Sequence, residues 1–186
     1  AIQEQGSLCD ESGLITTTSG NEYQLADFTS KNALVLKRTS DVGNLVFEEP
    51  ITTKELYLLA ICADGSGGIS ITPIYSDNSR GIFNQFYIYD WFGGSEGTAK
   101  SGLGRMKRGY KDGIREELIE DNYKFRLFEH KIDIDESKQL KGISVKKLRG
   151  GTPTLLAVSM KSSETTGIMI IATESNSTIV GIYTID

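Results

Sequence analysis

Residues 55–63, ELYLLAICA, constrain the fold more than any other part of this chain. Leu56, Leu58, Ala60 and Cys62 share one phase of an extended chain, and Tyr57, Leu59, Ile61 and Ala63 share the other. Successive side chains of a strand point to opposite faces, so a run that is apolar in both phases must be covered by protein on both sides. The segment is therefore predicted to be a central strand, and the fold must bring two apolar surfaces against it.

Other short extended runs flank it, separated by turn residues. Residues 45–47 form a brief one. Residues 64–68, DGSGG, predict a turn or loop that ends the central strand. Ile69, Ile71, Pro73 and Tyr75 then alternate with Ser70, Thr72 and Ile74. Pro73 has no N–H to give to a ladder, which predicts a sheet edge or a bulge. Residues 77–81, DNSRG, predict the next turn. Residues 82–89 predict a strand with Phe86 and Ile88 on one face and Phe83, Tyr87 and Tyr89 on the other.

Residues 90–121 are rich in glycine in their first half and keep no sustained period, which predicts a long loop. Ile114, Glu116, Glu117 and Leu118 leave room for one short helix. Tyr123, Phe125 and Leu127 share one strand phase, and Phe128, His130, Ile132 and Ile134 the other. The slip at Leu127–Phe128 predicts a β-bulge. Ile143 and Val145 mark another strand, residues 154–160 a second central one, and residues 167–173 and 178–185 two more. Nine or ten strands with at most one short helix predict an all-β fold, an antiparallel β-sandwich or jelly roll. Residues 1–162 make the sandwich, and residues 163–186 either belong to it or begin a separate C-terminal segment.

Bulk properties narrow the function. A chain of 186 residues can bury a core without metals or disulfides. Its net charge of -5 argues against nucleic acid, whose phosphates select basic surfaces. No apolar run approaches the length of a membrane-spanning helix, so no membrane insertion is expected. Residues 1–10 lack the basic start and apolar stretch of a signal peptide. A cytoplasmic chain and a mature or truncated exported chain both stay open. Cys9 and Cys62 are the two cysteines. They are either separate thiols or a disulfide tying the N-terminus to the core, and one pair does not decide the compartment.

Several segments taken in order resemble a known group. These are ELYLLAICADGSGG, ISITPIYSDNS, YIYDWFGG, SGLGRMKRGY, YKFRLFEHKIDIDESKQLKGISVKKL and TPTLLAVSM. Over roughly residues 30–160 the chain resembles β-sandwich accessory domains of secreted Bacteroidetes proteins, of galactose-binding-like or jelly-roll architecture. The tail TTGIMIIATESNSTIVGIYTID is similar to the start of the C-terminal sorting domain of proteins exported by the type IX system. The expected Gly-Arg/Lys would follow Asp186. The resemblance implies a secreted or cell-surface module within a larger polypeptide.

Candidate chemistry is sparse. His130 is the single histidine. It rules out a zinc site of several histidines and gives little support to a Ser-His-Asp triad. Gly102-Leu103-Gly104-Arg105 has too few glycines for a phosphate loop. Asp133 and Asp135 stand two apart, as paired acids do in jelly-roll glycosidases. Ile132 and Ile134 alternate with them, which is the pattern of a solvated outer face, so catalysis by this pair is not expected.

Residues 90–111 carry the better candidate. Trp91 can stack on the C–H face of a sugar, with Tyr110 beside it, while Asp90 and Arg105 bond hydroxyls. The competing role for Trp91 is a core plug or loop anchor. Arg105, Lys107, Arg108 and Lys111 form a basic cluster that is either an ordinary solvated loop or a site for an anionic glycan. A structural calcium ion would need oxygen ligands such as Asp64 and Ser66, or Asp77 and Asn78. Turn chemistry accounts for both pairs without a metal, and no other cofactor is expected. Three functions follow in order of preference. The first is a noncatalytic carbohydrate-binding module, the second a structural or adhesion module, and the third a carbohydrate-active enzyme.

Overall fold

The computed structural model describes residues 13–26, 32–111, 114–161, 166–174 and 177–184, with side chains at 13–26, 32–104 and 124–160. The described residues contain eleven strands and no helix. They are β1 (Leu14–Thr16), β2 (Glu22–Gln24), β3 (Leu34–Val35), β4 (Val42–Ile51), β5 (Glu55–Tyr75), β6 (Asn84–Ile88), β7 (Thr98–Lys111), β8 (Ile114–Asp133), β9 (Leu140–Lys161), β10 (Thr166–Glu174) and β11 (Ser177–Thr184). β1 and β2 form a separate antiparallel pair, and the other nine strands join in one sheet. All pairings between these strands are antiparallel except that of β11 with β4. The fold is all-β and built of antiparallel sheet, as the strand patterns predict.

β5 and β9 form its spine, paired from Glu55↔Lys161 to Tyr75↔Leu140. The glycine-rich residues 64–68 do not end β5, which corrects the expected turn. The strand runs through them with a register shift between Ala63 and Gly67. Asp64 and Gly65 take φ of 59° and 98°, and Gly150 on the partner strand takes 78°. A Cβ on Gly151 would collide with the carbonyl oxygens of Gly65 and Ala63. Glycines that look locally like a chain reversal here let two paired backbones approach and bend together at a bulge.

The apolar faces sort into two clusters. One joins Leu56, Leu58, Ala60 and Cys62 with Ile69, Ile71 and Tyr75 from beyond the bulge, and with Leu45, Ile143, Val145 and Val158. The other sets Leu59 and Ala157 against Ile15 and Tyr23 of the β1–β2 pair and against Phe125 and Leu127 of β8. Residues 55–63 are thus covered on both sides, as predicted, and so are residues 154–160. Each fully buried large side chain contributes about 1.5–3 kcal/mol.

The sheet also curls on itself. β9 pairs with β4 near one end and with β10 near the other, while β11 joins β10 to β4. These four strands form a closed circuit, and residues 166–174 and 177–184 are hydrogen-bonded into the same sheet as the rest. The Gly81 N–H donates to the Pro73 carbonyl at 2.9 Å. N and O of one strand residue point the same way, so the N–H that Pro73 lacks would face the side beyond β6, which meets β5 only at Gly67–Ile71. That is the edge character expected of a strand proline.

Two further expectations are corrected. The long loop of residues 90–121 is short, because residues 98–111 and 114–133 are the antiparallel partners β7 and β8. Ile114 to Leu118 lie in strand, not helix. The bulge near Leu127–Phe128 belongs to the partner strand. Thr98 pairs with Phe128 and Lys100 with Leu127, which leaves Ala99 extra, whereas β8 runs unbroken along β5 from Phe128↔Ala60 to Asp133↔Glu55. The apolar phase changes because odd positions leave the second cluster after Leu127 and become Glu129, Lys131 and Asp133. Even positions enter the first cluster from Phe128 onward.

Candidate functional site

Asp90 and Trp91 lie together on the seam between β5 and β8. Asp90 Oδ2 accepts the Gly65 N–H at 2.9 Å, Oδ1 accepts the Phe92 N–H at 2.8 Å, and the Asp90 N–H donates to Ser66 Oγ at 2.8 Å. The Trp91 N–H donates to the Cys62 carbonyl at 2.9 Å, and the Trp91 carbonyl accepts the Arg126 N–H at 2.8 Å. The indole is half-buried, packs on both clusters and stands 4.4 Å from the Phe125 ring. Asp90 Oδ2 and the backbone of Trp91 thus fasten the turn after β6 to two strands, while Asp90 Oδ1 braces the turn itself. Arg105 and Tyr110 lie on β7, with backbones paired to Glu120 and Arg115. Their side chains, like those of Lys107, Arg108 and Lys111, lie outside the described residues.

A second cluster is assembled elsewhere, from two segments that the sequence does not connect. A half-open groove of about 460 Å³ is lined by Tyr75, Arg80, Ile82, Asp133, Asp135 and Lys138, among others. One wall is the turn after β5. Asn78 takes φ of 63°, the Ser79 N–H donates to Asp77 Oδ1 at 2.8 Å, and the Tyr75 N–H donates to the Ser79 carbonyl at 3.0 Å. The other wall is the chain leaving β8. The Asp135 N–H donates to the buried Tyr75 hydroxyl at 3.1 Å, and Asp135 Oδ1 accepts the Ser137 hydroxyl at 2.6 Å. Lys138 Nζ ties the walls together, 2.8 Å from Ser79 Oγ and 3.3 Å from Asp77 Oδ2.

The groove combines the Arg80 guanidinium, carboxylates and apolar side chains. The Arg80 side chain makes no hydrogen bond or ion pair with any described residue. Ile82 beside it is 83% exposed, the most open large apolar side chain among the described residues. Asp133 pairs with Lys131 Nζ at 2.9 Å, and Lys131 also reaches Glu55 at 3.1 Å. The Ser137 hydroxyl and N–H hold Asp135 below the usual carboxylate value, and the hydrogen bonds of Ser79 do the same for Asp77. A glycosidase acid needs its proton held more tightly than usual, and Asp135 is shifted the other way.

The calcium candidates are engaged in local structure. Ser66 Oγ serves Asp90, Asp64 Oδ2 accepts the Thr152 hydroxyl at 3.2 Å, and Asp77 is bound to Ser79 and Lys138. Among the described residues no three His, Cys, Asp or Glu side chains converge as metal ligands. Cys62 is a buried free thiol whose proton burial holds up to about 11; Cys9 lies outside the described residues. His130 Nε2 is buried without a partner, its ring is 5.2 Å from Phe86, and burial lowers its proton affinity.

On the opposite face of β8, Glu129 clamps the β1–β2 pair. Oε1 accepts the Tyr23 hydroxyl and Oε2 the Ser19 hydroxyl, both at 2.6 Å. Among the described residues no helix is long and apolar enough to cross a membrane. No family model matches the chain, and no curated protein matches it.

Proposed function

We propose that this chain is a noncatalytic carbohydrate-binding module whose contact surface is the groove between residues 75–82 and 133–138. The observation that carries this is Ile82, largely exposed beside the Arg80 guanidinium, which pairs with no described residue, across from the Asp133 and Asp135 carboxylates. A sugar ring offers C–H groups that rest on an aliphatic side chain and vicinal hydroxyls that bond charged groups in pairs. Arg80 donates, and Asp133 and Asp135 accept. The depressed proton affinity of Asp135 suits an acceptor rather than a general acid. The contact surface differs from the one expected around Trp91, because Asp90 and Trp91 are engaged in holding strands together. Glycan-array binding tests the proposal. The chain should bind at least one glycan class, and Arg80→Ala or Ile82→Ser should abolish that binding while the chain stays folded.

The resemblance to accessory domains of exported Bacteroidetes proteins supports a secreted or cell-surface location, a place in a larger polypeptide, and a sandwich of jelly-roll or galactose-binding-like type. A second reading, a structural module that spaces neighbouring domains, is favoured by Trp91. Its ring bridges both apolar clusters instead of standing open to a ligand. A folded chain that binds no glycan class would support this second reading.

A further inference from the structure

β6 is a short strand paired with β5 through Gly67↔Ile88 to Ile71↔Asn84, and no other described strand pairs with it. Its inner face is anchored: Ile88 is fully buried, and Phe86 packs on the first cluster and on the His130 ring. Its outer face is not covered. Phe83 is 52% exposed, Tyr87 is 47% exposed, and Gln85 between them is exposed as well. Proteins guard such edges with lysines, prolines or bulges, because unpaired backbone groups invite another strand. This edge carries none of those devices. Residues 81–89 contain no charged side chain, in a chain that is 24% charged.

We propose that this edge is the interface of a two-fold dimer in which β6 pairs antiparallel with β6 of a second copy, centred on Gln85. Two observations select a second copy as the occupant. The outward residues read Phe83, Gln85, Tyr87, so antiparallel pairing about Gln85 sets Phe83 opposite Tyr87 of the other copy at both ends. Directly opposed aromatic side chains are among the favourable cross-strand pairs. Two-fold symmetry requires such self-complementarity of a single patch. Charge points the same way. Copies with a net charge of -5 repel one another, and an uncharged edge is where they meet without opposing like charges. One strand pair is a small interface, so the dimer is a weak one, with a dissociation constant on the order of micromolar. The proposal does not depend on glycan binding. If both hold, each dimer carries two grooves, because Arg80 and Ile82 lie just before the paired strand.

Sedimentation of the chain from low nanomolar to near-millimolar concentration tests this. The mass should double across that range. Gln85→Lys, which sets two like charges together on the axis, should keep it monomeric with an unchanged circular dichroism spectrum. In a Cys9→Ser background, Gln85→Cys should give a covalent dimer on mild oxidation. A chain that stays monomeric throughout, as it would if this edge received a strand from a different protein, overturns the proposal. So does a dimer that survives Gln85→Lys, since its interface would lie elsewhere.

Discussion

Asp90 holds Gly65 through a hydrogen bond of 2.9 Å, joining the turn after β6 to the bulge of β5. The same carboxylate holds the Phe92 N–H, and the neighbouring Trp91 bonds β5 on one side and β8 on the other. The positive φ at Asp64 and Gly65 is thus braced by a side chain 25 positions along the chain. This brace keeps the two halves of β5 oriented so that Leu56 and Ile71 serve one apolar cluster.

Asp90→Ala therefore acts on stability. It removes the acceptor of the Gly65 and Phe92 N–H groups, which lie at exposed positions where water can replace it, so the cost is that of lost net hydrogen bonds, about 0.5–1.5 kcal/mol. Urea denaturation should show a lower midpoint, while binding at the groove of the variant under folding conditions stays unchanged.

Gly151→Ala should cost more than the mild change in side chain suggests. The added methyl meets the Gly65 and Ala63 carbonyl oxygens, so the two long strands must separate locally. Steric insertion into a packed site costs about 1–3 kcal/mol. The same substitution at Gly93, where a Cβ meets nothing, should leave the thermal midpoint close to that of the parent.

How far each feature could be read from the sequence follows from how local its cause is. Residues 55–63 declare a doubly covered strand because the two phases lie within nine consecutive residues. Residues 64–68 mislead, because the reason for their glycines is Gly150 and Gly151 on another strand. β7 and β8 have no apolar period over residues 105–122 to announce them, so they read as a loop. The groove joins Arg80 and Ile82 to Asp133 and Asp135 only through folding. The sequence signal that could have pointed to it is the uncharged pair Ile82–Phe83 directly behind a polar turn. Trp91 drew attention as the only tryptophan. Its half-buried bridging position is the alternative that its amphipathic ring always allows.

Acid sensitivity should begin with His130. Burial lowers its folded-state value below the ordinary 6.5. The unfolded chain then binds the proton more readily than the folded one. Stability is full above the ordinary value and declines as pH falls toward the folded value. Glu55, Asp77 and Asp135, also shifted downward, contribute to losses only in the carboxylate range. Denaturation between pH 6.5 and that range should show a decline in the parent chain and a nearly flat profile in His130→Leu.

Alkaline sensitivity should come from tyrosines bonded to carboxylates. Burial and Glu129 raise the Tyr23 value well above 10, and the Glu55 carboxylate pushes Tyr57 up to about 12. The folded chain holds these protons more tightly than the unfolded one. Their contribution is complete below the ordinary value and is lost as pH rises above it. Stability should fall as pH climbs beyond 10, and Tyr23→Phe should fall less steeply while starting about 1 kcal/mol lower at neutral pH.

The most direct test of the carbohydrate-binding groove is calorimetric titration of one bound glycan into the parent chain, Arg80→Ala and Trp91→Phe. Arg80→Ala should weaken binding at least tenfold, about 1.4 kcal/mol, and Trp91→Phe should leave the affinity unchanged. Full affinity in Arg80→Ala together with lost affinity in a folded Trp91→Phe would contradict the account and return the site to the β5–β8 seam.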